Sequence, residues 1–309
     1  MRTTAVLDAD ERAIRRATHA ARLRRATPYL LMLAPIALLL ALVVYPMVYN
    51  VNLSLRSYRT GEFVGLHNFL RVFDDALFIE SIKATAVYIV LAVSIEVLLG
   101  LGLALFIHRT VTSGLLRSLF YVLMILPMVT PPVAAGVIAR LMYTPNYGVI
   151  NYLLRGAGII QRDIEWLSTG PTAMFSVLSV DIWQWTPFVF LVAFAGLQAV
   201  PQDILEAAKS DGASSWNLFR YIEFPYLRSL LLLVLVFRVT DTLRVFDHVL
   251  VLTGGGPGST TEFLSVYLYR VAFKFFNLSY AAAISFYVLI IASVVFMLLQ
   301  RLLVTEAVM

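Results

Sequence analysis

The sequence has no cysteine and few charged residues. Of its 309 residues, 14% are charged and 60% are hydrophobic. The lack of cysteine excludes disulfide frameworks, thiol catalysis and thiolate metal sites. The four histidines are scattered, so no metal-binding spacing such as HExxH is present. A soluble domain carries about 25% charged residues, and this chain therefore needs lipid as the solvent for much of its surface.

Six long apolar runs account for the high hydrophobic content. A membrane span needs about 20 mainly apolar residues to cross a ~30 Å hydrocarbon core. The predicted spans cover, to within a few residues, 29–51, 84–107, 117–142, 174–197, 229–252 and 281–303. The fold class is therefore predicted to be all-α integral membrane, with six transmembrane helices.

Two of these runs carry further information. Pro127, Pro131 and Pro132 interrupt the third run, which predicts a kinked or broken helix, because neighbouring protein can satisfy the carbonyls that proline frees. The first run is longer than the apolar region of a signal peptide, and no small-residue cleavage site follows it. It is predicted to be a retained span.

The basic residues predict the orientation. Residues 1–28 form a tail with seven arginines, and residues 29–309 form one six-span domain. Lys and Arg are enriched on the cytoplasmic side of membrane proteins, so both termini are predicted to be cytoplasmic. The net charge of +5 is then explained by orientation beside anionic lipid, and no nucleic acid partner is predicted.

The loop between the fourth and fifth spans, residues 198–228, carries the most specific motif. Its spaced positions are Glu206, Ala207, Ala208, Gly212, Ile222, Phe224 and Pro225. This spacing resembles the EAA signature, EAA-x3-G-x9-I-x-L-P, of permeases in binding-protein-dependent ABC importers. The single departure is Phe224, where the family has Leu. The resemblance implies a type I importer permease with a cytoplasmic coupling helix, in which Glu206, Ala207, Ala208 and Gly212 contact an ATPase subunit.

The same loop has the local signals of two short helices. Pro201 suits the first turn of a helix. Gly212 permits a left-handed backbone conformation between the helices, and Ser214 or Ser215 can cap the second one.

Three further stretches resemble carbohydrate-type permeases of this family. They are residues 63–69 (FVGLHNF), 181–188 (DIWQWTPF) and 246–258 (FDHVLVLTGGGPG). The glycine run in the last stretch is not a Walker A loop, because no GK[ST] follows it and no strand is predicted before it. The chain is thus predicted to have no ATPase site and no catalytic residue.

The resemblance also implies the assembly. The expected partners are a second homologous six-span permease, two ATPase subunits, an external sugar-binding protein and the lipid bilayer. ATP and Mg would be bound by the ATPase subunits, and no cofactor is expected in this chain. The expected location is the cytoplasmic membrane of a bacterium or archaeon.

Charged residues within predicted spans are candidates for function, because each costs about 2.5 to 3.5 kcal/mol to insert. The fifth run carries four at i+3 spacing: Arg238, Asp241, Arg244 and Asp247. Neighbours at this spacing can also pair along a helix, so a self-neutralising ladder is the alternative interpretation. Glu96 and Lys83 are interpreted as structural or interfacial charges.

The resemblance places a substrate site beside the loop 198–228. In maltose-type relatives the sugar contacts come from the spans on either side of the EAA loop. Carried over by distance from Glu206, the candidate positions are Asp181, Trp185, Phe188, Arg238, Asp241, Thr242 and Val245. Aromatic rings with a few polar groups suit a sugar, and a disaccharide such as trehalose or maltose is expected. Trp183 is interpreted as a packing residue.

The sequence has three alternative functional interpretations. Half of a secondary transporter could couple a solute to a proton or sodium ion through Asp181, Asp241 or Glu96, but it leaves the spaced loop unexplained. An ABC permease for a non-sugar or anionic solute, such as glycerol phosphate, is the main alternative. No feature of the sequence favours a channel or a scaffold.

Overall fold

The computed structural model describes residue 27, residue 29, residues 31–33 and residues 35–308, with side chains up to residue 301. The predicted arginine-rich tail lies almost wholly outside this part of the chain. The described residues form helices, turns and one isolated bridge between Arg56 and Phe63. The all-α prediction is confirmed.

The helices are numbered here in chain order. They are α1 (Leu31–Ser54), α2 (His67–Arg71), α3 (Ala76–Thr110), α4 (Gly114–Val129), α5 (Pro132–Met142), α6 (Val149–Gly156), α7 (Gly170–Gln198), α8 (Gln202–Ser210), α9 (Ser215–Leu218), α10 (Phe224–Thr242), α11 (Asp247–Leu252), α12 (Leu264–Tyr269) and α13 (Leu278–Val308). We call the side of the molecule that carries residues 198–228 the inner side, and the opposite side the outer side.

The third predicted span is broken, as its prolines predict. Among the described residues, four helices are long and apolar enough to cross a membrane, namely α1, α3, α7 and α13, and α4 with α5 adds a fifth span bent by 94°. At the break, the side-chain amide of Gln184 donates a hydrogen bond to the carbonyl of Thr130 at 2.6 Å. This bond satisfies a backbone group that the break leaves without a helical partner.

The fifth predicted span, 229–252, is not the single continuous helix that the sequence suggested. Helix α10 begins earlier, ends at Thr242, and is separated from α11, which begins at Asp247. Helix α10 has 19 residues but includes three charged residues, so its composition alone does not mark it as a span. These are Arg228, Arg238 and Asp241. With α10 counted, the fold has the six predicted spans.

Helices α3 and α7 form the centre of the molecule. Their backbones approach closely at Gly100, where an added Cβ would lie 2.6 Å from the Cβ of Val189. Close approach of this kind lets helices pack tightly in lipid, where no hydrophobic effect drives them together. Helix α1, in contrast, has an apolar window of which 0% is buried within this chain, and near its end Asn50 donates a hydrogen bond to Ser285 of α13 at 2.8 Å.

Asp75 joins three helices at the outer side. It caps α3 by accepting hydrogen bonds from the backbone N–H groups of Leu77 and Phe78, at 3.1 and 3.2 Å. It also accepts from the hydroxyl groups of Tyr267 in α12 and Tyr280 in α13. Burial alone would raise the pKa of Asp75, but these four hydrogen bonds outweigh it and hold the pKa below its ordinary value.

Candidate functional site

A buried ion cluster joins α3, α7 and α10. The side chain of Arg238 is fully buried and donates to both oxygens of Glu96, at 2.7 and 2.8 Å. It also donates to Asp181 at 3.1 Å and to Asp241 at 2.9 Å. The guanidinium carbon lies 4.5 Å from the ring centroid of Trp185. One arginine therefore holds three carboxylates, and we call these four charged residues the ion cluster.

The interpretation of Glu96 as a structural charge agrees with this geometry. Its side chain is 0% exposed and both oxygens bind the guanidinium of Arg238. Lys83, in contrast, is exposed and pairs with Glu80 on its own helix at 2.9 Å. A carboxylate in a span needs a cation at the same depth, and this requirement could have indicated that Glu96 and Arg238 are partners.

A cavity of about 260 Å³ lies beside the ion cluster. Five of the predicted substrate residues line it: Asp181, Trp185, Asp241, Thr242 and Val245. The structure thus brings together residues from both sides of the loop 198–228, and we call this space the candidate cavity.

Two predicted substrate residues do not line the candidate cavity. Arg238 lies behind the carboxylates that it binds. Phe188 packs against Trp185 and Phe237, with ring centroids 6.1 and 5.1 Å away. In this structure Arg238 orients the carboxylates, and Phe188 supports the ring of Trp185.

Sequence reasoning missed four other lining residues: Pro132, Gln184, Phe246 and His248. Arg244 and Asp247, which also line the cavity, were named as charged candidates but not as substrate residues. Gln184 follows Asp181 by one helical turn on the same face of α7, and this spacing could have found it. Its amide oxygen is buried and has no hydrogen-bond partner among the described residues. His248, whose Nε2 lies 3.2 Å from the hydroxyl of Tyr88, belongs to α11 and could not be placed without the break after α10.

The i+3 ladder of charges is only partly formed. Asp241 contacts Arg238 at 2.9 Å and Arg244 at 3.9 Å, but Asp247 lies beyond the end of α10. The side chain of Arg244 is 71% exposed. Around the cavity and the ion cluster, carboxylates outnumber guanidinium groups, so the lining offers acceptors for hydroxyl groups more than positive charge for an anion.

The inner loop, residues 198–228, has the two predicted helices. Helix α8 begins at Gln202, so Pro201 is its N-cap residue and does not lie within the first turn, as the sequence had suggested. Gly212 has the predicted left-handed conformation, with φ of 80°. The hydroxyl of Ser214 accepts a hydrogen bond from the backbone N–H of Asn217 at 3.2 Å, which confirms the cap.

Helix α8 presents two of its three motif residues to the outside of the chain. Glu206 and Ala207 are exposed, and Ala208 is half-buried. Leu205, on the opposite face, is buried against the rest of the loop. The loop is therefore a folded element whose exposed face carries Glu206 and Ala207, while Ala208 packs against its buried side.

A broken span, a polar cavity inside an all-α membrane fold and a folded loop on one side define this chain as a membrane transport subunit. Residues 96–306 match the family described as the inner membrane component of binding-protein-dependent transport systems. The chain belongs to this family. The expected ATPase subunit of such a system is a separate chain.

Several characterised or named relatives align over most of the chain. A trehalose/maltose transport system permease of Thermococcus litoralis is 36% identical over 81% of this chain and 83% of its own length. A sulfoquinovosyl glycerol permease of Agrobacterium fabrum is 33% identical, over 82% and 83%. A lactose permease of Rhizobium radiobacter is 32% identical, over 85% and 90%.

A solved structure shares the fold. A chain of a bacterial ABC transporter that imports the acidic polysaccharide alginate superposes with a TM-score of 0.80 at 22% identity, covering 92% of this chain and 97% of that chain. This likeness supports the six-span architecture and carries no statement about the substrate.

Proposed function

We propose that this chain is the permease subunit of an ATP-driven sugar importer and forms the path of a disaccharide such as trehalose or maltose. The observation that carries the proposal is the candidate cavity, where an aromatic ring and two carboxylates from α7 and α10 meet beside two broken helices. Transporters bind substrates at such helix breaks. The relatives with trehalose/maltose and lactose in their names support the sugar class.

Four side chains at the cavity, with Arg238 behind them, have a role in this proposal. The ring of Trp185 stacks on the apolar face of a sugar ring, and Asp181 and Asp241 accept hydrogen bonds from sugar hydroxyl groups. Gln184 offers the amide oxygen that has no partner in the described chain. Arg238 fixes the positions of the two aspartates. Because their side chains are already ordered, sugar binding costs less conformational entropy.

The proposed assembly contains a second homologous permease, two ATPase subunits and an external binding protein. The cavity volume of about 260 Å³ is below the usual 300 to 1,000 Å³ of a ligand site, which supports a second permease as its other wall. ATP and Mg would bind to the ATPase subunits, which would dock on the exposed face of α8. Both termini would lie in the cytoplasm of a bacterial or archaeal cell.

An anionic solute such as glycerol phosphate is the alternative substrate. The exposed guanidinium of Arg244 at the cavity favours it, and one relative is named for sulfoquinovosyl glycerol. The surplus of carboxylates around the cavity opposes it, because like charges raise the free energy of binding. A neutral sugar meets no such penalty.

The test is transport by the complete system in proteoliposomes. Uptake of radiolabelled trehalose, maltose and glycerol 3-phosphate would be measured with and without ATP on the cytoplasmic side. Trp185→Ala should abolish sugar uptake, while Trp183→Ala should preserve it, because Trp183 is half exposed and lines a separate apolar groove with Met142 and Tyr143. Uptake that needs no ATP and stops with a proton ionophore would favour the secondary transporter instead.

A further inference from the structure

Arg109 joins α3 to the inner loop. It lies in the last turn of α3 and donates from Nη2 to Glu223 at 2.6 Å and to the carbonyl of Ser215 at 3.3 Å. The side chain of Glu223 is 5% exposed and that of Arg109 is 35% exposed. One guanidinium group therefore contacts both ends of the segment 215–223. Charge-assisted bonds of this kind are short and strong.

The inner loop behaves as one packed body. Three of its side chains are buried together, with three others packed against them. These are Val200, Leu205 and Leu218, with Ala208, Ala213 and Ile222. Because these residues come from both sides of Gly212, a displacement of α8 moves the segment that contains Glu223 as well.

A second link joins the same helices deeper in the molecule. Glu96, on α3, binds Arg238, on α10, through two hydrogen bonds. At 1.5 Å per residue, Glu96 lies about 20 Å along the helix from Arg109, and Arg238 lies about 22 Å from Glu223. Two ionic links at this spacing hold α3 and α10 in register and oppose sliding of one helix along the other.

We propose that Arg109 and Glu223 form a positioning pair that carries movement of the inner loop to α3 and, through Glu96 and Arg238, to the candidate cavity. This inference rests on the proposed function, in which the loop contacts the ATPase. Glu223 occupies the unspecified position of the motif between Ile222 and the Phe-Pro pair. Neither member of the pair lines the cavity, so the pair acts through the residues it holds.

The first experiment measures coupling in the complete transporter. Glu223→Gln and Arg109→Gln would each be assembled with the second permease, the ATPase and the binding protein, and both ATP hydrolysis and uptake of radiolabelled trehalose and maltose would be followed. Sugar transported per ATP should fall by roughly tenfold or more, because losing a hydrogen bond to a charged group lowers by at least about that factor the population of complexes in which α3 follows the loop. The yield of the complex should stay near that of the unaltered protein.

Two matched variants control this experiment. The reversed pair, Arg109→Glu with Glu223→Arg, should restore most of the coupling, which loss of an unrelated structural contact would not do. Glu80→Gln removes an exposed ion pair of the same helix, with Lys83, and should leave coupling unchanged. Full coupling in Glu223→Gln, or no recovery in the reversed pair, would overturn the inference.

The second experiment does not depend on the substrate. Spin labels at Thr110→Cys and Asn217→Cys, both exposed positions, would report the distance between α3 and the loop before and after vanadate trapping with MgATP. In the otherwise unaltered complex, the distribution of distances between the two labels should be narrow and the same before and after trapping. When Glu223→Gln is added, the distribution should broaden or shift. Identical distances in both would refute the positioning role. A complex that moves no sugar while the spin distances behave as expected would instead count against the proposed function.

Discussion

Removing Arg238 should damage the protein far more than removing Asp241. The side chain of Arg238 is fully buried and holds three carboxylates, so Arg238→Leu leaves three acids without their cation. Removal of one partner from a buried ion pair costs about 3–5 kcal/mol, and this variant should lie at or above the upper end of that range. Asp241→Asn leaves Arg238 bound to Glu96 and Asp181. Because the side chain of Asp241 is 35% exposed, its loss should cost about 1 kcal/mol or less.

Thermal unfolding in detergent distinguishes the two variants. For chains of a few hundred residues, 1 kcal/mol corresponds to about 2–4 °C in Tm. Arg238→Leu should therefore lower Tm by about 10 °C or more, or yield no folded complex, whereas Asp241→Asn should stay within about 4 °C. Size-exclusion chromatography would give the yield of assembled complex, and uptake of radiolabelled trehalose and maltose would give function. We expect Asp241→Asn to assemble normally and to lose transport.

A double variant provides the control for this reasoning. Combining Arg238→Leu with Glu96→Gln removes one of the stranded carboxylates and should recover part of the lost stability without recovering transport. Equal losses of Tm in Asp241→Asn and Arg238→Leu would contradict the central role of Arg238. Normal transport by Asp241→Asn would show that this carboxylate is only a structural counter-ion.

Three further predictions concern other parts of the chain. Gly212→Trp should reduce co-purification of the ATPase and abolish uptake, because φ of 80° strains any side chain; unchanged uptake would refute the role of the loop. Since the native chain has no cysteine, an impermeant maleimide applied to intact cells should label Thr60→Cys and should not label Ser210→Cys, and the opposite pattern would invert the orientation. Asp75, whose pKa is lowered by hydrogen bonds, stabilises the folded state above its unfolded pKa of about 3.9. This stabilisation is lost as the pH falls through its lower folded pKa, so Tm should fall less steeply below about pH 4 in Asp75→Asn than in the unaltered protein, and parallel pH profiles would argue against it.

The two helix breaks show what local sequence could and could not predict. Prolines at the third span remove backbone donors, so the break there was predictable from the residues themselves. The break between α10 and α11 contains no proline or glycine. One of its carbonyl groups, that of Val245, accepts a hydrogen bond from the hydroxyl of the distant Ser265 instead. Near the end of α11, the carbonyl of Val251 similarly accepts from Arg140 at 3.0 Å. Contacts of this kind cannot be read from the interrupted stretch.

The candidate site divides in a similar way. Asp241 and Trp185 were predicted from their positions in the spans and from the resemblance, and both line the cavity. The role of Arg238 in binding three carboxylates was not predicted, because the regular i+3 spacing gives no reason to distinguish one of the four charged residues of the fifth run from the others. Its main partner, Glu96, is 142 residues away in the chain.

The apolar runs, the prolines and the spaced loop motif are local properties, and they were enough to predict the six spans, the bent third helix and the family. Membrane insertion makes this possible, because hydropathy and backbone hydrogen bonding act on each segment separately. The ion cluster and the shape of the cavity depend on which buried charges meet when α3, α7 and α10 pack. A charge buried in a low-dielectric interior is stabilised by the few groups within hydrogen-bond distance, and the partners of Arg238 on α3 and α7 come from segments far from it along the chain.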